Sequence, residues 1–398
     1  MDRGSDTIDE SGISAARNRW SLVALFTSAA TFGLAFGGFA PLVALALERQ
    51  DVDSLVIGAN AAMSPIGTVA TSFLVPGLIR RLGAFNAFMA GCALTLVAMM
   101  LFPVVTSVPA WFGLRLLAGI GIAAPWVVAE TWINVAARQH NRGRVMAIYA
   151  TVMAAGFAAG PLILTMTGTE GAAPFYWFAG IFFVSVLPMF AIRSHAPGLD
   201  FRGHSGPSRT LLTAPTIFAA AFLSGVLDIS VFSFLPLYGL ARGFEEVQAV
   251  TMLTLFLAGN LVLQLPIGYV ADKIRKRFVL LCCAAACVAA PALLPQLMGN
   301  QLTMAAALFV WGGCSWGLYS VALAMLGERF KSGGLAIANA AFMMAFEAGN
   351  IVGPPIGGFA FKFMGGDGFL MFLGGAAGIY FVIVAGRGIV RRVRGNGP

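Results

Sequence analysis

The sequence predicts an all-α integral membrane protein with twelve transmembrane helices in two pseudo-symmetric six-helix bundles. Three observations lead to this fold class: an extreme apolar composition, twelve apolar segments, and one long polar connection that divides the segments six and six. Of the 398 residues, 59% are hydrophobic and 11% are charged, whereas a soluble domain is about 45–50% apolar and about 25% charged. A sizeable soluble domain therefore has no room in this chain.

The apolar segments lie between charged, Pro, Gly or Asn residues, and each supplies close to the roughly 20 residues that a helix needs to cross the hydrocarbon core. Segments 1 to 6 are 20–47, 54–79, 86–105, 110–135, 145–168 and 174–192, and segments 7 to 12 are 211–240, 247–270, 278–298, 302–327, 336–361 and 369–386. A cleavable signal peptide is not expected, because the first 19 residues carry four acidic side chains and the apolar run that follows is too long.

The charge pattern predicts the orientation in the membrane. With twelve segments, 21 of the 25 Lys and Arg fall on one side, Arg49, Arg242 and Lys362 fall on the other, and Arg115 lies inside segment 4. By the positive-inside rule, both termini and the long middle loop are cytoplasmic. The basic residues are scattered between segments, so the net charge of +8 does not indicate a nucleic-acid partner. All five cysteines lie within apolar segments, as packing residues do.

A polar stretch in the middle of the chain is interpreted as a linker between two halves. The predicted organisation is a cytoplasmic tail (1–19), an N-terminal bundle (20–192), a cytoplasmic linker (193–210), a C-terminal bundle (211–386) and a basic cytoplasmic tail (387–398).

Segments 5 and 11 carry matching Gly and Pro residues, which indicates an internal repeat. The two sets are offset by 193 residues and consist of Gly156, Gly160 and Pro161, and of Gly349, Gly353 and Pro354. Small residues allow helices to approach closely, and proline favours a bend. Weak symmetry of this kind is expected where two helical bundles rock about a site near the membrane midplane.

Three motifs resemble signatures of the major facilitator superfamily. GYVADKIRKR (268–277) resembles its cytoplasmic loop signature, RLLAGIGIAA (115–124) its fourth-helix signature and GNIVGPPIGG (349–358) its Gly-Pro signature. Residues 130–134, Glu-Thr-Trp-Ile-Asn, are similar to a segment of one bacterial branch, the uncharacterised YcaD-like permeases. The resemblance implies a central cavity that segments 1, 4, 7 and 10 line and segments 2, 5, 8 and 11 flank.

Four ionisable residues lie clearly within the segments: Arg115, Glu130, Asp228 and Glu347. A charge near the bilayer centre is costly unless it faces water, a partner or the protein interior, so each is a functional candidate. Asp228 and Glu347, near the middle of segments 7 and 11, are the candidates for binding and releasing a proton. The alternative for each is a buried acid satisfied by a neighbouring helix.

Arg115 and Glu130 share one face of segment 4 with Trp126. Arg115 either favours an anionic substrate or anchors the helix through hydrogen bonds. Glu130 either couples protons or contacts cytoplasmic arginines such as Arg142 or Arg144 at an inner gate.

Two further sets of residues have both a functional and a structural interpretation. Polar and aromatic side chains in segments 8 and 10 either orient a small substrate or make interhelical hydrogen bonds and packing contacts; these are Asn260, Gln264, Trp311 and Ser315. The charged loop after segment 8 either latches helix ends together or only sets topology; its residues are Asp272, Lys273, Arg275, Lys276 and Arg277.

The expected function is secondary active transport of a small solute by alternating access, coupled to a proton gradient and needing no metal or other cofactor. The protein is expected to be a monomer in a bacterial cytoplasmic membrane. A passive facilitator and a non-transporting sensor on the same scaffold are the alternatives. An enzyme is not expected, because the three histidines lie in predicted loops and the chain has no HExxH, GxSxG or Walker motif.

Overall fold

The computed structural model describes residues 10–137, 142–195, 213–330 and 333–393. These residues form α-helices joined by short loops, with one short 3-10 turn at Arg193–His195 and no strand among them. The all-α prediction is therefore confirmed for this part of the chain. Much of the predicted linker, the first nine residues and the last five lie outside the described residues.

Segments 1 to 6 correspond to the helices Glu10–Glu48, Ser54–Ser72 with Val75–Leu82, Ala84–Leu101, Val108–Ala136, Arg142–Thr167 and Ala173–Ala191. Segment 2 is divided into two helices that meet at an angle of 59°. The break lies at Phe73 and Leu74, where Pro76, which lacks a backbone N–H, cannot donate to the carbonyl of Ser72 four residues earlier. The helix of segment 1 begins at Glu10, ahead of the predicted start at Trp20, because hydropathy does not detect a polar helical extension.

Segments 7 to 10 correspond to the helices Pro215–Ala241, Glu246–Lys273, Lys276–Leu297 and Gln301–Arg329. Segments 11 and 12 lie in one helical run, Gly333–Val393, that is broken at Gly365 with φ 70°. A Cβ atom at Gly357 would lie 3.5 Å from the ring of Phe369, although about 12 residues of straight helix span about 18 Å. The chain therefore reverses at Gly365, where glycine tolerates the positive φ.

The predicted count of twelve helices is matched only in part. Among the described residues, 10 helices are long and apolar enough to cross a membrane, or 11 if the bent pair of segment 2 is one span. The difference arises because the reversal at Gly365 interrupts the helix at a single residue, so that segments 11 and 12 form one continuous element.

The same close helix contact occurs in both halves. A Cβ atom at Gly156 in segment 5 would lie 2.2 Å from the backbone oxygen of Ala30 in segment 1. At Gly349 in segment 11, it would lie 2.1 Å from the backbone oxygen of Phe222 in segment 7. Neither position has room for a side chain, so glycine sets the spacing of both helix pairs.

The other Gly and Pro residues of the motif follow the same pattern. Gly160 packs against Gly37 and Gly38 of segment 1, and Gly353 packs against Val226 of segment 7. Pro161 and Pro354 lie inside continuous helices. The helix bend expected at these prolines remains a prediction.

In the described residues, the two halves meet mainly along three helix pairs, segment 2 with 11, segment 5 with 8, and segment 1 with 7, with a smaller contact between segments 2 and 7. A Cβ atom at Gly58 in segment 2 would lie 2.1 Å from the backbone oxygen of Pro354 in segment 11. Backbones of opposite halves are therefore in direct contact. This inter-half surface positions the site described next.

Candidate functional site

Asp228 lies on the side of segment 7 that faces the N-terminal half. Phe232, one turn further along the same face, packs edge-on against Phe157 of segment 5 with ring centroids 6.0 Å apart. The Asp228 side chain is partly exposed, and no described residue donates a hydrogen bond to it or forms an ion pair with it. An unpaired carboxylate thus lies next to the inter-half surface.

Glu347 lies on the side of segment 11 that faces segment 2. Pro354, which contacts Gly58, is two helical turns further along that face. The carboxylate of Glu347 accepts a hydrogen bond of 3.2 Å from the side-chain nitrogen of Asn350. Asn350 is only 4% exposed, and its Oδ1 has no hydrogen-bond partner in the described part of the chain. A buried acceptor is thereby left open beside the acid.

Tyr319 in segment 10 lies near the parts of segments 7 and 11 that carry the acids. Its ring packs against Phe346, the residue before Glu347, and Gly225, one turn before Asp228, packs against the backbone of Phe346. The Tyr319 hydroxyl donates a hydrogen bond to the sulfur of Met343 at 3.2 Å. Asp228 and Glu347 therefore both lie within one helical turn of residues that pack around Phe346 and Tyr319.

An aromatic cluster surrounds Tyr319. Its ring centroid lies 5.1 Å from Phe342, 5.2 Å from Phe346 and 5.5 Å from Trp316. Such edge-to-face contacts fix the rings and present both π faces and edges. The cluster and the acids together form the most chemically distinctive region that the structure describes.

A pocket opens within the N-terminal half beside segment 4. Its lining residues include Phe32, Trp126, Tyr149 and Phe182. The Trp126 ring lies 5.9 Å from Phe32, and its indole N–H donates a hydrogen bond to Glu130. Trp126 and Glu130 therefore lie on the same face of segment 4, as their spacing predicts.

The contact predicted between Glu130 and Arg142 falls on a side chain that lies outside the described residues, and Arg144 is exposed. An inner-gate contact of Glu130 with the loop arginines therefore stays a prediction.

Arg115 lies inside the N-terminal half, between segments 4 and 2. It is 6% exposed, and its guanidinium donates to Asn60 Oδ1 at the long distance of 3.5 Å. Among the described residues, no carboxylate lies within ion-pair distance of it. One turn further on, Gly119 packs against the backbone of Ser64. This placement agrees with the structural alternative given for Arg115.

Of the polar and aromatic candidates in segments 8 and 10, some are buried in the packing between helices and one is partly exposed. Trp311 is fully buried and packs edge-on against Phe256 at 5.3 Å, and its indole nitrogen has no partner among the described residues. Asn260 and Ser315 are also buried, whereas Gln264 is partly exposed. Trp311 thus occupies the packing role between segments 8 and 10.

The charged loop after segment 8 links helix ends within the C-terminal half. Lys276 forms ion pairs with Asp272 at 3.6 Å and with Glu328 at 2.8 Å. Arg277 donates to the backbone oxygen of Val384, and Lys273 lies over the ring of Tyr269. Arg275 is exposed. These contacts tie segment 9 to segments 8, 10 and 12 of the same half, and a role as a conformational latch stays a prediction.

The basic-poor end, which comprises residues 48–54, 168–172, 242–246 and 362–367, is closed by contacts between the halves. Arg49 forms an ion pair with Glu246 and donates to Thr169. Lys362 pairs with Asp53 at 2.6 Å and lowers the pKa of that carboxyl through their hydrogen bond.

Each of the three basic residues expected at this end is thus paired. The third, Arg242, pairs with Asp367 within the C-terminal half. Sequence reasoning identified these bases as exceptions to the charge rule but did not pair them with acids. Both ion pairs that join the halves in the described structure lie at this end.

No group of three or more His, Cys, Asp or Glu in the described residues is placed to hold a metal ion. The fold and the site thus define a helical membrane protein with a charged, aromatic region between its two halves.

The chain belongs to the Major Facilitator Superfamily, which residues 25–253 and 217–395 both match. It is 28% identical over 325 residues to the uncharacterized MFS-type transporter YcaD of Escherichia coli O45:K1, covering 79% of this chain and 81% of that protein. A crystal structure of the nucleoside transporter NupG has a TM-score of 0.74 and 13% identity over 93% of this chain and 98% of that one. A D-xylose-proton symporter has a TM-score of 0.68 and 15% identity over 91% and 96%. The protein is therefore a multi-pass membrane transporter and not an enzyme.

Proposed function

We propose that the protein is a secondary active transporter that moves a small solute across a bacterial cytoplasmic membrane by alternating access. In this proposal, the reversal at Gly365 separates two spans, which gives twelve transmembrane helices with both termini in the cytoplasm. The basic-poor end then faces outward. The transporter works as a monomer and needs no metal or other cofactor.

The acids between the halves are the observation that carries this proposal. Asp228 and Glu347 face the opposite half while the ion pairs Arg49–Glu246 and Lys362–Asp53 close the outer end. A solute that reached these acids would therefore come from the cytoplasmic side. Rocking of the halves about segments 1, 2, 7 and 11 would open the outer end and close the inner one.

Proton coupling follows from the position of the same acids. A carboxylate that faces water in one state and apolar side chains in the other binds protons with different affinity in the two states. That difference lets a pH gradient drive the conformational cycle. Asp228, which no described residue pairs with, is the primary coupling residue, and Glu347 is the second.

The test uses purified protein in proteoliposomes. A thermal-shift screen of metabolites and drugs identifies ligands, and counterflow then tests each for transport. A pH gradient is expected to drive accumulation by the wild type. In the Asp228→Asn/Glu347→Gln double variant, any counterflow that remains should no longer respond to the gradient.

Glu170→Gln is the matched control, because it removes an exposed acid in the loop between segments 5 and 6, whereas Asp228 and Glu347 lie near the middle of their helices. Gradient-driven transport that is unchanged in the double variant would refute the coupling assignment. Downhill counterflow without gradient dependence in the wild type would instead indicate a passive facilitator. Ligand binding with no counterflow would indicate a sensor.

A further inference from the structure

The inter-half region is rich in groups that attract positive charge. Phe346, the residue before Glu347, packs on the Tyr319 ring, and its backbone oxygen lies against Gly225, one turn before Asp228. The carboxylates of Asp228 and Glu347 and the rings around Tyr319 therefore share one region. Neither acid has a basic partner among the described residues, and the buried base Arg115 is held by Asn60 within the N-terminal half. A bound molecule would therefore meet acceptors and π faces but no cation.

Asn350 supplies an independent observation that points to a ligand. Its amide nitrogen is committed to Glu347, which leaves Oδ1 as the only other polar atom of the side chain. That oxygen is buried and unpaired, although an unpaired buried acceptor costs about 1–3 kcal/mol. A ligand that carries N–H donors or a positive charge would satisfy it, whereas an anion would be repelled.

The aromatic cluster suits the apolar part of such a ligand. Trp316, Phe342 and Phe346 surround Tyr319, and the sulfur of Met343 lies against its hydroxyl. Aromatic faces bind organic cations through cation–π attraction, most strongly where water is excluded. Methionine adapts its shape to ligands of different size.

We propose that the transported solute is an organic cation with an apolar body, bound between the halves by Asp228, Glu347 and Asn350 against the Tyr319 cluster. This inference rests on the proposed transport function and adds the substrate class. Because the cation and a proton occupy the same carboxylates, binding of one displaces the other. The transporter would therefore exchange the organic cation for a proton across the membrane.

The direct test is a binding assay with two probes of nearly equal size and shape but opposite charge. Tetraphenylphosphonium is the cation and tetraphenylborate the anion, and both are titrated against purified protein in detergent by radioligand binding and thermal shift. The cation is expected to bind and to raise the unfolding temperature. The anion should do neither.

Variants then locate the site. Asp228→Asn and Glu347→Gln should each weaken tetraphenylphosphonium binding by roughly tenfold or more. Asp228→Glu and Glu347→Asp should retain most of the affinity, and Glu170→Gln should leave it unchanged. Size-exclusion profiles identify any variant that fails to fold. If a charge-removing variant fails, the affinities of Asp228→Glu and Glu347→Asp are compared with that of the wild type instead.

Competition with protons provides a second readout. Lowering the pH from about 8 to about 6 should weaken cation binding, because protonation removes the charge that attracts the ligand. Among the described residues, the titratable groups that interact with these acids are the two acids themselves and Tyr319, which also interacts with Glu130 of the other half. The pH effect should shrink in Asp228→Asn.

The outcomes separate this inference from the transport proposal. Tetraphenylborate binding, or cation binding that neither variant weakens, would overturn the cation assignment, while counterflow of any other ligand would still support transport. Cation binding at Asp228 without counterflow of any bound compound would support the site and refute transport.

Discussion

At the scale of single residues, the burial of Arg115 predicts an unusual response to mutation. Asn60→Ala removes the one acceptor that the structure gives the guanidinium, so we expect a loss of stability of about 1–3 kcal/mol. Arg115→Met in the same chain removes the buried charge itself and should restore part of that loss. Thermal unfolding of the two single variants and the double variant measures this coupling.

If Asn60→Ala destabilises the wild type and the Arg115→Met variant by the same amount, the two residues contribute to stability independently. Loss of ligand binding in Arg115→Met, with stability unchanged, would favour the anion-binding interpretation instead. The sequence predicts that Arg115 is important, because a charge inside an apolar segment is rare. It does not identify the partner, since Asn60 lies 55 residues away in the chain and an apolar segment accepts asparagine at several positions.

At the scale of helices, the glycines of segments 5 and 11 predict sharply localised sensitivity. Gly349→Ala would place a methyl group 2.1 Å from the backbone oxygen of Phe222, and Gly156→Ala would place one 2.2 Å from that of Ala30. The helices must then separate, which costs about 1–3 kcal/mol. We expect lower unfolding temperatures for both variants.

Gly180→Ala and Gly375→Ala are the matched controls, because a Cβ atom at either position has no neighbour within 4 Å. Both should leave the unfolding temperature unchanged or raise it, since alanine favours helix. Equal effects at packed and open positions would show that spacing between helices is not the cause.

The same helices show where sequence patterns suffice and where they do not. The offset of 193 residues between the two glycine motifs predicts equivalent contacts, and the structure has them between segments 1 and 5 and between segments 7 and 11. The reversal at Gly365 is not predicted as one residue in a continuous helix, because hydropathy averages over a window longer than the turn. The break in segment 2 is signalled by Pro76, yet its angle depends on packing.

At the scale of the whole molecule, the two ion pairs at the basic-poor end predict a shift in the conformational equilibrium. Arg49 with Glu246 and Lys362 with Asp53 join the halves only when this end is closed. Exposed ion pairs contribute about 0–1 kcal/mol each. Removal of one pair therefore changes the ratio of the closed state to the open state by at most about fivefold. Removal of both should produce a measurable population that is open at this end.

Their positions explain why the sequence did not reveal them. Arg49 and Glu246 are 197 residues apart, and each lies at the end of a different apolar segment. The charge rule predicts only which side of the membrane they occupy. The pairing depends on how the halves dock, which no local pattern encodes.

Spin labels at Gln50 and Val247, both exposed at this end, would report the opening as a longer distance in pulsed electron spin resonance. Glu246→Gln with Lys362→Gln should increase the long-distance population. Arg242→Gln breaks a pair at the same end but within one half, so its distance distribution should match the wild type.

Because the pKa of Asp53 is lowered, its ion pair with Lys362 contributes at neutral pH and is lost only as the pH falls through that lowered value. An opening that sets in near neutral pH would therefore contradict a role for Asp53.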